Sequence, residues 1–159
     1  MRRLEAPQQL REWVGGESAV SDWMLVGQDR IDAFARVIDD EQWIHVDVTR
    51  ARRVIAMHGA PVAHGFLVLS LASSLFRHAV RIDGVRVSIN YGLNRVRFVS
   101  PLIAGGCVRG RFTPLAVETL EEARCSGHLR SASRRRRLRT PRVRRGVDRA
   151  LLPGIGVDV

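Results

Sequence analysis

Asp40 and His45 lie five positions apart in the stretch "DDEQWIHVD" (39–47). A carboxylate and an imidazole converging on one water can orient it and take its proton. The same stretch holds Asp39, Glu41 and Asp47, and between the pair come Trp43 and Ile44. Two large apolar residues would pin a loop to a core and limit solvent around the acid. The plain alternative is that Asp40 ends a helix and His45 fills a surface position. An isolated acid and histidine at this spacing are a weak signal.

A second stretch bears on the first. "PVAHGF" (61–66) leads into the most apolar segment of the chain, with Gly65 where a helix would begin. Helix N-termini present free N–H groups and the positive end of the helix dipole. Such a place can hold a developing oxyanion, and glycine lets a ligand approach the backbone. A close helix–sheet contact would equally explain the glycine.

These residues need elements to position them. In "QDRIDAFARVIDD" (28–40), Ile31, Phe34, Ala35 and Ile38 recur at helical spacing, and Asp29 could cap the first turn. The predicted helix ends at the acid. Residues 20–27 read as a short strand, and 47–61 as a short helix followed by a loop. "VAHGFLVLSLASSLFRHAV" (62–80) is apolar nearly all round, with small residues interleaved. That pattern predicts a buried central helix. The period then changes to alternation over 86–102 and 107–120, with "IAGG" (103–106) as the turn. Leu4, Leu10, Trp13 and Val14 are possible anchors of a lead-in over 1–19.

Taken together, "FARVIDDEQWIHVD" and "APVAHGFLVLSL" resemble the MaoC-like dehydratases, the (R)-specific enoyl-CoA hydratases of the hot-dog fold. "QWIHVD" and "INYGLNRVRFVSPL" are most similar to the NodN-like branch. The likeness implies an α+β domain over about 20–120, an antiparallel sheet wrapped around a central helix. It places the family's acid–histidine pair on Asp40 and His45, with Gln42 and Trp43 where the family has Asn-Pro. It places the oxyanion glycine on Gly65 and, two turns on, a serine supporting the carboxylate on Ser73. His64 would have a supporting role. Arg95 and Arg97, on one face of a strand, could meet CoA phosphates, since guanidinium suits phosphate oxygens; a surface charge pair would read the same way. The implied reaction is reversible hydration of a trans-2-enoyl-CoA to the (R)-3-hydroxyacyl-CoA. No metal or other cofactor is implied, because CoA is part of the substrate. A homodimer is implied by resemblance alone.

The C-terminal part departs from this pattern. There is no lysine, and all 26 basic residues are Arg. Residues 1–123 hold 15 Arg against 14 acids, whereas 124–159 hold 11 Arg against two. Beyond about 120 neither strand nor helix period continues. The family's last strands are expected to be missing, and 121–159 reads as an Arg-rich disordered or frameshifted tail of a GC-rich gene. That leaves an inactive, truncated remnant as one reading. An Arg cluster also attracts polyanions, but 124–159 has no aromatic residue to stack on bases, so specific nucleic-acid recognition is not expected. A hot-dog thioesterase is the other enzymatic alternative. No run of about 18 apolar residues is present, so no membrane span is expected. Cys107 and Cys125 form no redox or ligand motif, and no apolar segment follows the N-terminal Arg residues. Both point to a cytoplasmic protein with reduced thiols.

Overall fold

A computed structural model describes residues 1–54, 59–90, 92–98, 100–120, 124–136 and 149–158, as backbone only from 118 onward. Its centre is the helix α5 (Gly65–Ala79), packed against the strand β6 (Gly106–Leu120). Leu67, Ala72, Leu75 and Ala79 recur at helical spacing and are the buried residues of α5. The helix is not enclosed all round, because Phe66 stays 66% exposed.

β6 meets α5 through Phe112, which is fully buried and packs edge-to-face on Phe76 with centroids 5.2 Å apart. Gly110 makes this possible, since any Cβ there would collide with the Phe112 ring and press on Leu75. Phe112→Ala is expected to lower unfolding free energy by about 3–5 kcal/mol, which urea denaturation would measure.

The larger sheet runs β2 (Ala19–Val20), β6, β7 (Arg124–Arg136), β8 (Arg149–Asp158), β5 (Ile89–Asn90), all antiparallel. β3 (Met24–Val26) also pairs with β6. The turn expected at 103–106 is present: Gly105 has φ +78° and donates to Val26 O at 2.9 Å. The helix expected over 28–40 is α2 (Gln28–Ile38), although Gly27, not Asp29, takes the N-cap position. Two short helices, α3 (Trp43–Val46) and α4 (Val48–Val54), follow it. The loop expected before residue 61 lies partly outside the described residues.

One expectation is corrected. The long strand predicted over 86–102 shrinks to β5, and the described residues after it are irregular. Val87, Ile89, Leu93 and Phe98 remain 45–62% exposed, so their alternation does not mark a buried face. Residues 124–136 and 149–158 have strand backbone, in a part of the chain whose side chains carry no strand period. Ladder bonds join backbone groups, so an antiparallel pair needs no apolar alternation. Residues 137–148, part of the Arg cluster, lie outside the described residues. The lead-in, with its short helix α1 (Gln9–Glu12), is anchored as expected by Leu4, Leu10 and Trp13, each at most 5% exposed, but not by Val14, which is 39% exposed.

A second, parallel pair joins β1 (Arg2–Leu4) to β4 (Val80–Ile82). Asp83 ties it together, accepting from Arg3 at 2.7 Å and from Arg81 at 2.9 Å. Hydrogen bonds from Arg81 and then Arg3 hold the Asp83 carboxyl below its ordinary value of 3.8. A depressed folded-state value stabilises the fold above the ordinary carboxylate range and loses that contribution as pH falls through it. Asp83→Asn is therefore expected to lower the thermal midpoint slightly at pH 7 and to match the parent near pH 2.

Candidate active site

The site is built where α2 ends. Asp39 closes the helix in the left-handed conformation, with φ 54° and ψ 31°. Among the described residues it is the one non-glycine with positive φ. Asp and Asn tolerate this region better than most side chains. The turn delivers Asp40, whose amide donates to Ala35 O at 3.1 Å. The Asp40 side chain is 44% exposed and open to a ligand.

His45 is not in a loop, as expected, but on α3, and it is only 8% exposed. Its Nδ1 lies 2.6 Å from Val62 O. A carbonyl only accepts, so Nδ1 carries the proton and, in the uncharged ring, Nε2 carries the lone pair. That is the arrangement a general base requires. Gln28 holds α3 against α2 by donating to His45 O and to Asp32 Oδ1, both at 2.7 Å. Trp43 and Ile44 are each half-buried. Trp43 stacks with the Arg50 guanidinium, 4.3 Å from its ring centroid, and Ile44 anchors the segment through its carbonyl.

Residues 61–64 bring the second stretch alongside. Val62 N donates to Ile44 O at 3.0 Å, and Ala63 N to Leu102 O at 2.7 Å. This places His64, 3% exposed, directly beneath the pair. Its Nε2 is 2.9 Å from Asp40 O, and its ring stacks on His45 at 3.6 Å with an angle of 26°. Phe34 closes the other side, its ring 5.4 Å from His64.

α5 starts at Gly65, immediately after His64, so its first N–H groups open beside the cluster. The Gly65 Cα faces Phe98: a Cβ there would lie 2.7–2.9 Å from three atoms of the Phe98 ring. Phe98 in turn meets Phe66 edge-to-face at 5.8 Å. Acid, imidazole and helix start thus share one small region, suited to moving a proton beside a developing negative oxygen.

Ligand atoms of Asp40, His45 and His64 all lie within 4.8 Å of one another. Each imidazole sets one ring nitrogen on a main-chain carbonyl, which leaves one nitrogen of each ring as a possible ligand.

Residues 10–126 match the family described as "MaoC like domain". The chain belongs to the MaoC-like dehydratase family. It is 38% identical over 120 residues to 3-hydroxyacyl-thioester dehydratase Z of Mycobacterium tuberculosis, covering 76% of this chain and 78% of that one. It is 46% identical over 100 residues to nodulation protein N of Rhizobium leguminosarum, covering 62% of each. The fold superposes on a monoamine oxidase regulatory protein from Archaeoglobus with TM-score 0.72 at 20% identity, over 99% of this chain and 95% of the other. The hot-dog architecture therefore holds, with helices and an antiparallel sheet.

Not every residue that the MaoC-like pattern singles out comes together. Ser73 lies two turns along α5, and its hydrogen-bond partner among the described residues is Asn90, at 2.7 Å. Eight residues of helix at about 1.5 Å each separate it from Gly65, so within one chain it lines a different stretch of the helix from Asp40. Arg95 and Arg97 are exposed, but on irregular backbone, so the strand argument for a shared face no longer applies. Two contributors were missed. Gln28 is a polar residue at a helix start, with no sequence cue for its bond to His45 O. Phe98 read as one more strand residue, although it sets the space at Gly65.

Proposed function

We propose that this MaoC-like protein catalyses the reversible hydration of a trans-2-enoyl thioester to the 3-hydroxyacyl thioester. The observation that carries the reading is the pairing of an accessible Asp40 carboxylate with a His45 ring whose Nδ1–H is fixed on Val62 O. Asp40 and His45 hold the water. As its oxygen bonds to C3, one of the two takes a proton, and a proton is delivered to C2. The Gly65 N–H faces the thioester oxygen while enolate charge develops. His64 supports the pair from below. The reverse direction dehydrates the hydroxyacyl form.

The chemistry needs no metal or redox cofactor, and the CoA thioester enters as substrate. Arg95 and Arg97 are exposed guanidiniums available to CoA phosphates. We further propose a homodimer working in the cytoplasm. No helix among the described residues is long and apolar enough to cross a membrane.

Loss of the enoyl absorbance of crotonyl-CoA tests the reading, with free thiol followed in the same sample. Hydration removes the absorbance without releasing thiol, whereas a thioesterase would release it. Thiol release in step with absorbance loss would overturn the assignment.

A further inference from the structure

His64 is tied to both members of the pair and is itself almost fully buried. One imidazole nitrogen, Nε2, lies 2.9 Å from the Asp40 carbonyl, and one ring face lies 3.6 Å from His45. The residue is 3% exposed, against 44% for the Asp40 side chain. Its Nδ1 is buried without a hydrogen-bond partner among the described residues.

We propose that His64 is a positioning residue that fixes the spacing between Asp40 and His45, through a hydrogen bond to one and a ring stack on the other. This deepens the hydratase reading and rests on it for its kinetic test. The tautomers follow from the two carbonyls. The Asp40 carbonyl can only accept, so His64 carries its proton on Nε2. The Val62 carbonyl can only accept, so His45 carries its proton on Nδ1. The two stacked rings are thus held in opposite tautomers. The His64 Nε2–H fixes the main chain of Asp40, and the stack prevents the His45 ring from tilting about its Nδ1 bond. Its Nε2 lies 3.9 Å from Asp40 Oδ2, beyond hydrogen-bond reach, so the residue acts through the pair.

The two tasks are separable. His64→Gln places an amide N–H at the reach of Nε2 and keeps the hold on Asp40 O, but has no ring to stack. His64→Phe keeps a flat ring but leaves the Asp40 carbonyl without its donor. Each is expected to lower kcat for crotonyl-CoA hydration by about 10- to 100-fold with KM changed less than about twofold, because misplacement of reacting groups by about 1 Å costs on that scale. Adding His64→Phe to Asp40→Asn should then cost little more than Asp40→Asn alone. A merely structural residue would instead multiply its loss onto the Asp40→Asn background.

A second measurement needs no turnover. Imidazole nitrogen NMR of the full chain should show one Nδ1–H and one Nε2–H ring for the stacked pair. His64→Gln should leave the His45 proton on Nδ1, where Val62 O holds it, but loosen the ring and change the line widths of its signals. Identical tautomers in the parent protein, or unchanged His45 line widths in His64→Gln, would overturn the proposal even if crotonyl-CoA proved not to be a substrate. Undiminished kcat in both folded variants would overturn it as well.

Discussion

Asp40→Asn is expected to reduce kcat for crotonyl-CoA hydration by about 10³-fold, within the range that positioned acid–base groups supply. The substitution is chemically narrow. The amide bond to Ala35 O and the carbonyl contact with His64 Nε2 belong to the main chain and survive. Asparagine has nearly the same shape, and the side chain it replaces is 44% exposed, so little packing is disturbed. What disappears is the ability to accept a proton. The thermal midpoint should stay within a degree or two of the parent, on the small scale of surface changes. Full activity in the variant would remove Asp40 from the mechanism and leave His45 as the sole base.

Gly65→Ala should be comparably damaging, for a reason that the hydratase chemistry alone does not supply. The new methyl would lie 2.7–2.9 Å from the Phe98 ring, closer than real Cβ atoms come to a neighbour. The ring must move, and being 48% exposed it can swing outward, breaking its edge contact with Phe66. The wall beside the first N–H groups of α5 then moves with it. Misplacing a bound reactant by about 1 Å costs about 10²-fold, and a fall of about 10²-fold in kcat/KM is the expected result. The decisive comparison is Gly65→Ala combined with Phe98→Ala. Alanine leaves the backbone N–H in place, and its methyl would then point into vacated space. The double variant should return to within about tenfold of Phe98→Ala alone. Persisting loss would show that the glycine serves the ligand's own approach.

The part of the site lying on regular helix was legible in the sequence. Ile31, Phe34, Ala35 and Ile38 marked α2, and the break in that period marked the acid. The apolar run from Val62 marked α5 and hence its first residue, Gly65. The partners of these residues were not legible, because main-chain atoms of distant segments supply them. Val62 O orients His45, Leu102 O holds Ala63, and no side-chain pattern announces either. Phe98 was invisible for a similar reason: its contact with Gly65 depends on an irregular path that alternation misread as a strand. The ladders of β7 and β8 join backbone groups, and their Arg and Ser residues carry no periodic signal that a sequence could show. The family match ends at 126, just inside β7.

The main-chain anchoring of the acid–histidine segment bears on how such a segment can change over time. Asp40 is held by its own amide and carbonyl, and His45 by its amide on Gln42 O at 2.9 Å. The residues between them are selected chiefly for a permitted backbone path. Gln42 and Trp43 can therefore stand where the family pattern has Asn-Pro, since Trp43 opens α3, a first helical position that proline also suits. Neutral drift across this spacer leaves the geometry of its two ends intact, so a search requiring the intervening letters would pass over working members.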